Sequence, residues 1–218
     1  MTLAIFDLDN TLLGGDSDHA WGDFLVEAEL VDGESHRRQN DQFYQDYLNG
    51  ELDIHRYHRF ALSPVAGRTQ EEVAAWRARF MDTRIKPLYQ RKAEELLASH
   101  REQGHTLMII TATNRFITEL IAEAMGIEHL LATEPEVVDG RYTGDIVGIP
   151  TFQDGKVKRL QEWLEEHGES LDGAWFYSDS HNDLPLLKQV DNPVAVDPDP
   201  TLEQYAREQN WPIISLRD

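Results

Sequence analysis

Short apolar runs alternate with stretches of helical periodicity along most of the chain. The apolar runs are residues 3–6, 106–110, 174–177 and 194–196. Runs of this kind are typical of strands that are buried on both faces of a sheet. Between them, apolar side chains recur at a spacing of three or four residues, for example in 156–166, which predicts amphipathic helices. The alternation predicts an α/β fold with a doubly wound, mostly parallel sheet, that is, a Rossmann-like core.

One long segment breaks this alternation. Residues 13–85 show no strand pattern, whereas apolar side chains such as Trp21 and Phe24 recur there at helical spacing. A helical block that directly follows a single strand is best explained as an insertion into the α/β fold. We therefore predict a core formed by residues 1–12 and 86–218, with an all-helical domain of residues 13–85 inserted between its two parts.

The carboxyl-terminal half adds a hairpin to this plan. Asp139-Gly140 is a two-residue turn signal, and the strand-like segments 135–138 and 141–147 flank it. A separate short strand is predicted just before the hairpin, at 129–132. Further helices are predicted at 88–103, 114–125, 182–189 and 202–209, and a last strand at 213–214.

The composition narrows the possible functions. The 218 residues include 40 Asp and Glu against 20 Lys and Arg, which gives a formal net charge of −20. Nucleic-acid phosphates and anionic membrane surfaces repel such a chain, so we expect neither as a partner. The absence of cysteine excludes disulfides and thiolate chemistry, and no apolar run approaches the ~20 residues of a spanning helix. We expect a cytoplasmic globular protein of undetermined oligomeric state.

Carboxylates follow two of the predicted strands. Asp7 and Asp9 come directly after the first apolar run, and Asp179 and Asp183 follow the run at 174–177. The carboxyl ends of parallel strands meet at one edge of a sheet, where ligands of α/β proteins bind. Carboxylates that converge there repel one another unless a hard cation lies among them. Because Mg²⁺ takes such oxygen ligands and keeps waters that a phosphate can replace, the sequence predicts a magnesium site at this edge.

Two further residues complete the parts needed for phosphoryl transfer. Thr111 follows the run at 106–110 with a hydroxyl that can bond a phosphate oxygen, and Lys156 begins a predicted helix with a charge that can offset phosphate. When two carboxylates are adjacent, one can attack phosphorus to form an aspartyl-phosphate. The other can protonate the leaving alkoxide and later deprotonate a water. We therefore expect a small phosphorylated metabolite as the partner of this site.

Four segments resemble the motifs of the haloacid-dehalogenase-like (HAD) hydrolase superfamily, in the family's order. Residues 5–12 (IFDLDNTL) resemble the first motif and residues 109–111 (IIT) the second. Gly155-Lys156 before a helix is similar to the third motif, and residues 177–183 (YSDSHND) are similar to the fourth. The helical segment between the first two motifs resembles the cap domain of the phosphoserine-phosphatase-like branch, subfamily IB. The resemblance implies a Mg²⁺-dependent phosphatase that works through an aspartyl-phosphate.

The resemblance also implies roles for the carboxylates. Asp7 is expected to be the nucleophile and a magnesium ligand. Asp9 is expected to be the general acid and base, and to reach the metal through its backbone carbonyl. Asp179 is the third expected protein ligand, and Asp183 is expected to orient a metal-bound water.

The polar residues of the other motifs are expected to bind the reacting group. The resemblance implies that Thr111 and Lys156 hold the transferring phosphoryl group, where their hydroxyl and charge stabilise the transition state. Asn182 is expected to face the phosphate or the substrate. Thr113, two residues after the motif hydroxyl, is expected to bind the substrate.

Two residues of the insert are candidates for reading the rest of the substrate. Asp16 stands nine residues after Asp7, where the branch has an acidic residue that binds the substrate's amine, although it equally fits a helix N-cap. Arg59 is similar to a cap arginine that binds the carboxylate of phosphoserine, although it equally fits an exposed surface charge.

The sequence departs from phosphoserine phosphatases at two motifs. Those enzymes typically follow the second-motif hydroxyl with two glycines, where this chain has Ala112 and Thr113, and they flank the fourth-motif aspartate with glycines, where this chain has Ser178 and Ser180. We therefore expect L-histidinol phosphate as substrate ahead of phosphoserine. A dehalogenase is disfavoured because it has no need of Asp9. The alternative of another class is a non-catalytic binding or regulatory protein on a HAD scaffold.

Overall fold

The computed structural model describes residues 2–217 and contains one seven-stranded sheet. The strands are β1 (Leu3–Phe6), β2 (Thr106–Asn114), β3 (His129–Val138), β4 (Arg141–Val147), β5 (Trp175–Ser178), β6 (Asn192–Val196) and β7 (Ile213–Ile214). Their order across the sheet is β4-β3-β2-β1-β5-β6-β7. Every neighbouring pair is parallel except β3 and β4, which are antiparallel. The predicted doubly wound, mostly parallel α/β fold is therefore confirmed.

Helices connect the strands and cover both faces of the sheet. They are α1 (Ser17–Glu27), α2 (Gly33–Leu48), α3 (Ile54–Leu62), α4 (Gln70–Phe80), α5 (Arg91–Glu102), α6 (Arg115–Ala124), α7 (Asp154–His167), α8 (Leu184–Leu187) and α9 (Pro200–Gln209). Within the described residues, no helix is both long and apolar enough to cross a membrane.

The central strand β1 is buried on both faces, as its unbroken apolar sequence predicts. Ala4 and Phe6 belong to the larger apolar cluster on one side, whereas Leu3 and Ile5 belong to the cluster on the other side, and none of the four is exposed. Burying a large aliphatic or aromatic side chain contributes about 1.5–3 kcal/mol. The strand that carries Asp7 at its end is thus firmly anchored.

Helices α1 to α4 all lie in the segment that was predicted to be helical. Trp21 of α1 packs against Phe24, Phe80 and Phe116 at ring-centroid distances of 5.1–5.3 Å. Because Phe116 belongs to α6, this part of the insert shares its apolar cluster with the sheet. Only a smaller cluster, built on Phe43, Tyr57 and Ala61, lies within the insert itself. The division into two domains at residues 13 and 86 stays a prediction.

Two predicted elements differ in their bounds. The separate strands expected at 129–132 and 135–138 form one strand, β3, which pairs first with β2 and then with β4. Pro135 lies where the β3–β4 register shifts, so its missing N–H does not end the strand. The helix expected at 182–189 is a 3₁₀ turn followed by the short α8, which has Pro185 in its first turn.

Candidate active site

A cavity lies at the carboxyl ends of β1, β2 and β5, between the sheet and helices α1 to α3. It encloses about 620 Å³ of empty space, part of it open to solvent. Its polar lining includes Asp7, Asp9, Asp16, Asp18, Thr111, Thr113, Lys156, Asn182 and Asp183, and its aromatic lining is Phe43, Tyr44, Tyr47, Tyr57 and Phe152. The edge that the strand pattern predicted as a ligand site is therefore a real cavity, and most of the predicted residues meet there.

Lys156 joins two carboxylates at the floor of the cavity. Its Nζ lies 2.7 Å from Oδ1 of Asp7 and 2.8 Å from Oδ2 of Asp183, and all three residues are at most 5% exposed. Ser178 donates a further hydrogen bond of 2.6 Å to Oδ2 of Asp183. The ammonium thus offsets part of the negative charge and fixes the orientation of Asp7.

The position of Lys156 depends on a close approach of backbone at the start of α7. A Cβ placed on Gly155 would lie 2.0 Å from the carbonyl oxygen of Pro150, which no side chain can tolerate. The preceding Gln153 has a φ of 49°, a left-handed conformation that sharpens the turn into the helix. Glycine at 155 lets α7 begin directly beneath the cavity, so that its next residue points into it.

Asp9 is held from two sides. Its Oδ1 accepts a 2.7 Å hydrogen bond from the backbone N–H of Ser17, at the start of α1, and its Oδ2 accepts a 2.7 Å bond from the hydroxyl of Thr113. The backbone around Asp9 is not helical, and the following Asn10 has a φ of 57°, a region that asparagine tolerates. The turn thereby directs the Asp9 carboxylate toward the insert instead of along the strand.

Asp179 is hydrogen-bonded to the turn that follows β1 through Thr11, a residue to which the sequence assigned no role. Thr11 donates from Oγ1 to Oδ1 of Asp179 at 3.3 Å and accepts a 3.1 Å bond from the Asp179 backbone N–H. The only sequence signal for Thr11 was its place in the first motif. Its contact joins the end of β1 to the end of β5 and brings Asp179 close to Asp7.

Crowding of carboxylates perturbs their protonation. Burial raises the pKa of Asp7 to about 7, opposed by Lys156 and reinforced by Asp183 and Asp9. Burial and the charge of Asp16 raise the pKa of Asp9 to about 7. Burial, followed by Asp7 and Asp183, raises the pKa of Asp179 well above its usual value. A site with this much unbalanced negative charge favours the binding of a cation.

The donor set fits a magnesium ion, although its ligands are not preassembled. No three His, Asp or Glu side chains within residues 2–217 are already arranged around a metal position. The expected set needs only two such side chains, Asp7 and Asp179, because Asp9 contributes its backbone carbonyl. Hydrogen bonds engage Oδ1 of Asp7 and Oδ1 of Asp179, which leaves Oδ2 of each for a cation. Oxygen donors of this kind suit Mg²⁺.

The predicted phosphate-binding hydroxyl lies on an irregular part of β2. Thr111 is buried, and its Oγ1 accepts a 3.2 Å bond from the N–H of Thr113. The register with β3 shifts between Ile110 and Asn114, which frees this stretch from regular pairing. Thr111 and Thr113 consequently both line the cavity.

Asn182 connects the core to the insert. Its Nδ2 donates a 3.2 Å hydrogen bond to the carbonyl of Tyr47, near the end of α2, and its Oδ1 accepts a 2.9 Å bond from Gln153. The side chain lines the cavity, as predicted, but its hydrogen bonds go to protein groups. Gln153 and Tyr47 had no sequence signal, because neither belongs to a motif.

The two candidates for substrate recognition have different positions. Asp16 lines the cavity and also caps α1, since its Oδ1 accepts a 2.8 Å bond from the N–H of His19. Both of its sequence interpretations are therefore compatible with the structure. Arg59 is exposed on α3 and is not part of the cavity lining, because the buried face of that helix is formed by its neighbours Tyr57, His58 and Ala61. The structure does not bring Arg59 to the site.

Comparison with known proteins identifies relatives along the whole chain. The model of the haloacid dehalogenase-like hydrolases matches residues 4–188. A histidinol-phosphatase from Neisseria meningitidis serogroup C (strain 8013) is 44% identical over 219 residues, with 99% of both chains covered. The phosphoserine phosphatase SerB1 of Mycobacterium tuberculosis (strain ATCC 25618 / H37Rv) is 31% identical, with 98% of this chain and 70% of that protein covered.

Solved structures have the same fold. A protein with unknown function from Bordetella pertussis Tohama I superposes with a TM-score of 0.92 at 42% identity, covering 99% of this chain and 100% of the other. A substrate-bound phosphoserine phosphatase superposes with a TM-score of 0.71 at 18% identity, covering 99% and 93%. The second likeness supports the fold alone.

Motif order, fold and relatives agree with one another. The family match covers both halves of the α/β fold as well as the helical insert between them, and its carboxylate and lysine positions meet at one cavity. The chain therefore belongs to the haloacid dehalogenase-like hydrolase family, as a phosphatase of the phosphoserine-phosphatase-like branch.

Proposed function

We propose that this phosphatase is Mg²⁺-dependent and hydrolyses a small phosphate monoester through an aspartyl-phosphate on Asp7, with L-histidinol phosphate as the leading substrate. The main observation that supports this proposal is the buried contact of Lys156 with Asp7 and Asp183. The expected acid/base carboxylate, Asp9, lines the same cavity. This arrangement provides an oriented nucleophile, a fixed positive charge and a separate acid/base group in one cavity.

The side chains divide the chemistry between them. A carboxylate oxygen of Asp7 attacks phosphorus as the bond to the leaving oxygen breaks, and Asp9 donates its proton to that oxygen. The ionised Asp9 then takes a proton from the water that cleaves the aspartyl-phosphate. Thr113 stays bonded to Asp9 in both states, because its hydroxyl can donate to an oxygen of the carboxylate and of the acid, which leaves the acid proton for the leaving oxygen. Lys156 and Thr111 contribute fixed charge and a donor for the phosphoryl oxygens.

Asp7, Asp179 and the carbonyl of Asp9 would hold the magnesium ion, with Asp183 close by. A divalent cation there would neutralise charge on the transferring phosphoryl group and on the converging carboxylates.

Three features support an amine-bearing substrate. Asp16 and Asp18 line the cavity beyond Asp9, and aromatic side chains form its wall. Carboxylates in a partly closed site pair with an ammonium more strongly than in bulk water. The relative with 44% identity is named a histidinol-phosphatase. Phosphoserine is the alternative substrate, supported by the name of the relative with 31% identity.

A phosphatase assay separates catalysis from the alternative of a binding or regulatory protein. Release of phosphate from L-histidinol phosphate, phosphoserine and a panel of sugar phosphates is measured with purified protein, with and without Mg²⁺. We expect the highest kcat/KM for L-histidinol phosphate, and no phosphate release from any substrate without Mg²⁺. Binding of these phosphates without turnover of any would establish the alternative.

Calcium is expected to inhibit the enzyme. Mg²⁺ requires near-octahedral coordination at about 2.0–2.1 Å, whereas Ca²⁺ takes about 6–8 ligands at 2.3–2.6 Å. The larger shell would draw Asp7 into bidentate coordination and away from phosphorus. Phosphate release is measured after chelation and addition of either metal, and Mg²⁺ should restore activity that Ca²⁺ does not. Full turnover with Ca²⁺ alone would contradict a magnesium-type site.

Replacing Asp16 is expected to affect amine-bearing substrates selectively. A hydrogen bond to a charged group contributes about 1.5–3 kcal/mol, or roughly 10- to 150-fold in kcat/KM. The Asp16→Asn variant should show this loss for L-histidinol phosphate but hardly any for p-nitrophenyl phosphate. It keeps an oxygen for the N-cap bond from His19, whereas Asp16→Ala also loses about 1 kcal/mol of capping. Equal losses of kcat/KM on both substrates would show that Asp16 does not recognise the amine. The control variant Arg59→Ala should leave kcat/KM unchanged for both substrates.

A further inference from the structure

One carboxylate of the cavity, Asp18, has an oxygen without a hydrogen-bond partner among the described residues. Asp18 lies in the first turn of α1, lines the cavity, and is only 8% exposed. Its Oδ1 is buried and accepts no hydrogen bond from any of residues 2–217. Burying a carboxylate without a compensating donor costs several kcal/mol relative to water. The carboxylate of Asp18 has no role in the proposed reaction and does not belong to the expected metal site.

The charges near Asp18 increase that cost. Burial raises the pKa of Asp18, and the charges of Asp16 and Asp9, both negative, raise it further above its usual value, while the hydroxyls of Tyr57 and Thr113 give only partial relief. The N-terminus of α1 favours an acidic residue, but Asp16 already caps that helix. A cation supplied by a ligand would satisfy the free oxygen.

The described lining of the cavity offers no basic side chain that lacks an acidic partner and could pair with a substrate carboxylate. Among the described lining residues, the basic side chains are Lys156 and His19. Lys156 is already bonded to two carboxylates, and His19 contacts Asp41 at 3.1 Å. A substrate with its own carboxylate would meet negative charge without a counter-ion.

We propose that Asp18 is a specificity-determining residue that binds a positively charged or N–H-bearing group on the organic part of the substrate and excludes substrates that carry a carboxylate there. The proposal rests on the proposed phosphatase function and deepens it, because it assigns the substrates to phosphorylated amino alcohols and not to phosphorylated amino acids. It assigns to Asp18 the discrimination between these two classes, which Asp16 alone does not provide because one of its oxygens serves the helix cap.

Two small phosphate esters can test whether the enzyme discriminates against a substrate carboxylate. O-phosphoethanolamine and O-phosphoserine both carry a phosphate and an ammonium, and they differ only in the carboxylate. We expect the unmodified enzyme to prefer O-phosphoethanolamine by about tenfold or more in kcat/KM, the size of one charged interaction. Asp18→Asn should reduce that ratio to within about twofold of unity. Asp23→Asn, the same change on the same helix but outside the cavity lining, should leave the ratio unaltered.

Stability separates recognition from a structural role. If Asp18 serves α1 alone, Asp18→Asn should lower the thermal midpoint and reduce turnover of all substrates by one factor. If Asp18 is held in place for a ligand, the ligand-free variant should unfold at the same temperature as the unmodified enzyme or a higher one, because a buried unpaired charge has been removed. Lower stability together with an unchanged substrate ratio would overturn the proposal.

Binding measurements keep this test independent of catalysis. Calorimetric titration of Asp7→Asn and of the double variant D7N/D18N with the two esters, in the presence of Mg²⁺, reports recognition without turnover. A preference of about tenfold for O-phosphoethanolamine that is lost in the double variant supports the role of Asp18, even if no monoester is hydrolysed and the proposed function fails. Equal affinities of Asp7→Asn for the two esters would overturn the role of Asp18, even if the enzyme is a phosphatase.

Discussion

Replacing Asp7 by asparagine is expected to reduce phosphatase activity by about 10⁴-fold or more, because the change removes the nucleophile itself. The amide is a poor nucleophile toward phosphorus, and it is also a weaker metal ligand than a carboxylate. The fold should be preserved, since the amide oxygen can still accept the bond from Lys156 that Oδ1 of Asp7 accepts at 2.7 Å. Phosphate release from L-histidinol phosphate, measured with freshly purified protein, checks this expectation.

The matched control is Asp139→Asn, the same substitution at an exposed turn between β3 and β4. It should retain full activity, and both variants should have the circular dichroism spectrum of the unmodified protein. Residual activity of more than a few per cent in Asp7→Asn would rule out an aspartyl-phosphate on this residue.

Replacing Asp9 by asparagine is expected to lower kcat by about 10²–10⁴-fold, the usual contribution of general acid–base catalysis. Burial and Asp16 raise the pKa of Asp9 to about 7, so the carboxyl can hold and release a proton near neutral pH. The asparagine should fit without rearrangement. Its oxygen can accept from the N–H of Ser17, and its amide can donate to the Thr113 hydroxyl, which reverses its direction.

The choice of leaving group tests the role of Asp9. An alkoxide needs protonation as it departs, whereas p-nitrophenolate departs without it. The loss in Asp9→Asn should therefore be much larger for L-histidinol phosphate than for the first turnover of p-nitrophenyl phosphate. Affinity for inorganic phosphate should be retained, because the backbone carbonyl of Asp9 is unchanged. An unaltered kcat would exclude Asp9 as the acid.

Parts of the molecule that depend on local pattern could be predicted from the sequence. The apolar run Leu3–Phe6 identified the central strand, because a short apolar run that ends in polar residues is typical of a strand buried on both faces. The motif positions Asp7, Asp9 and Thr111 come together because parallel strands end at one edge, where Lys156 joins them from the start of α7. Periodicity and topology are sufficient to place residues of this kind.

Other features depend on tertiary geometry that no local pattern encodes. The side of α3 that carries Arg59 is set by how that helix packs, and its apolar residues place Arg59 on the exposed side. Asp18 lies in the same acidic stretch of sequence as Asp16, but the sequence does not show that its Oδ1 would be buried without a hydrogen bond from the described residues. The fusion of two predicted strands into β3 reflects a change of partner strand between Thr133, which pairs with β2, and Glu134, which pairs with β4.

The hydrogen bond from Ser17 to Asp9 comes from a backbone N–H, at 2.7 Å. Among the twenty amino acids, only proline lacks this donor, so any other residue that fits the fully buried position of Ser17 would preserve the bond. The hydrogen bond between the inserted helices and the acid/base residue therefore tolerates substitutions in the insert. Side chains of the insert, and with them the substrate specificity, can change while this bond to Asp9 is kept.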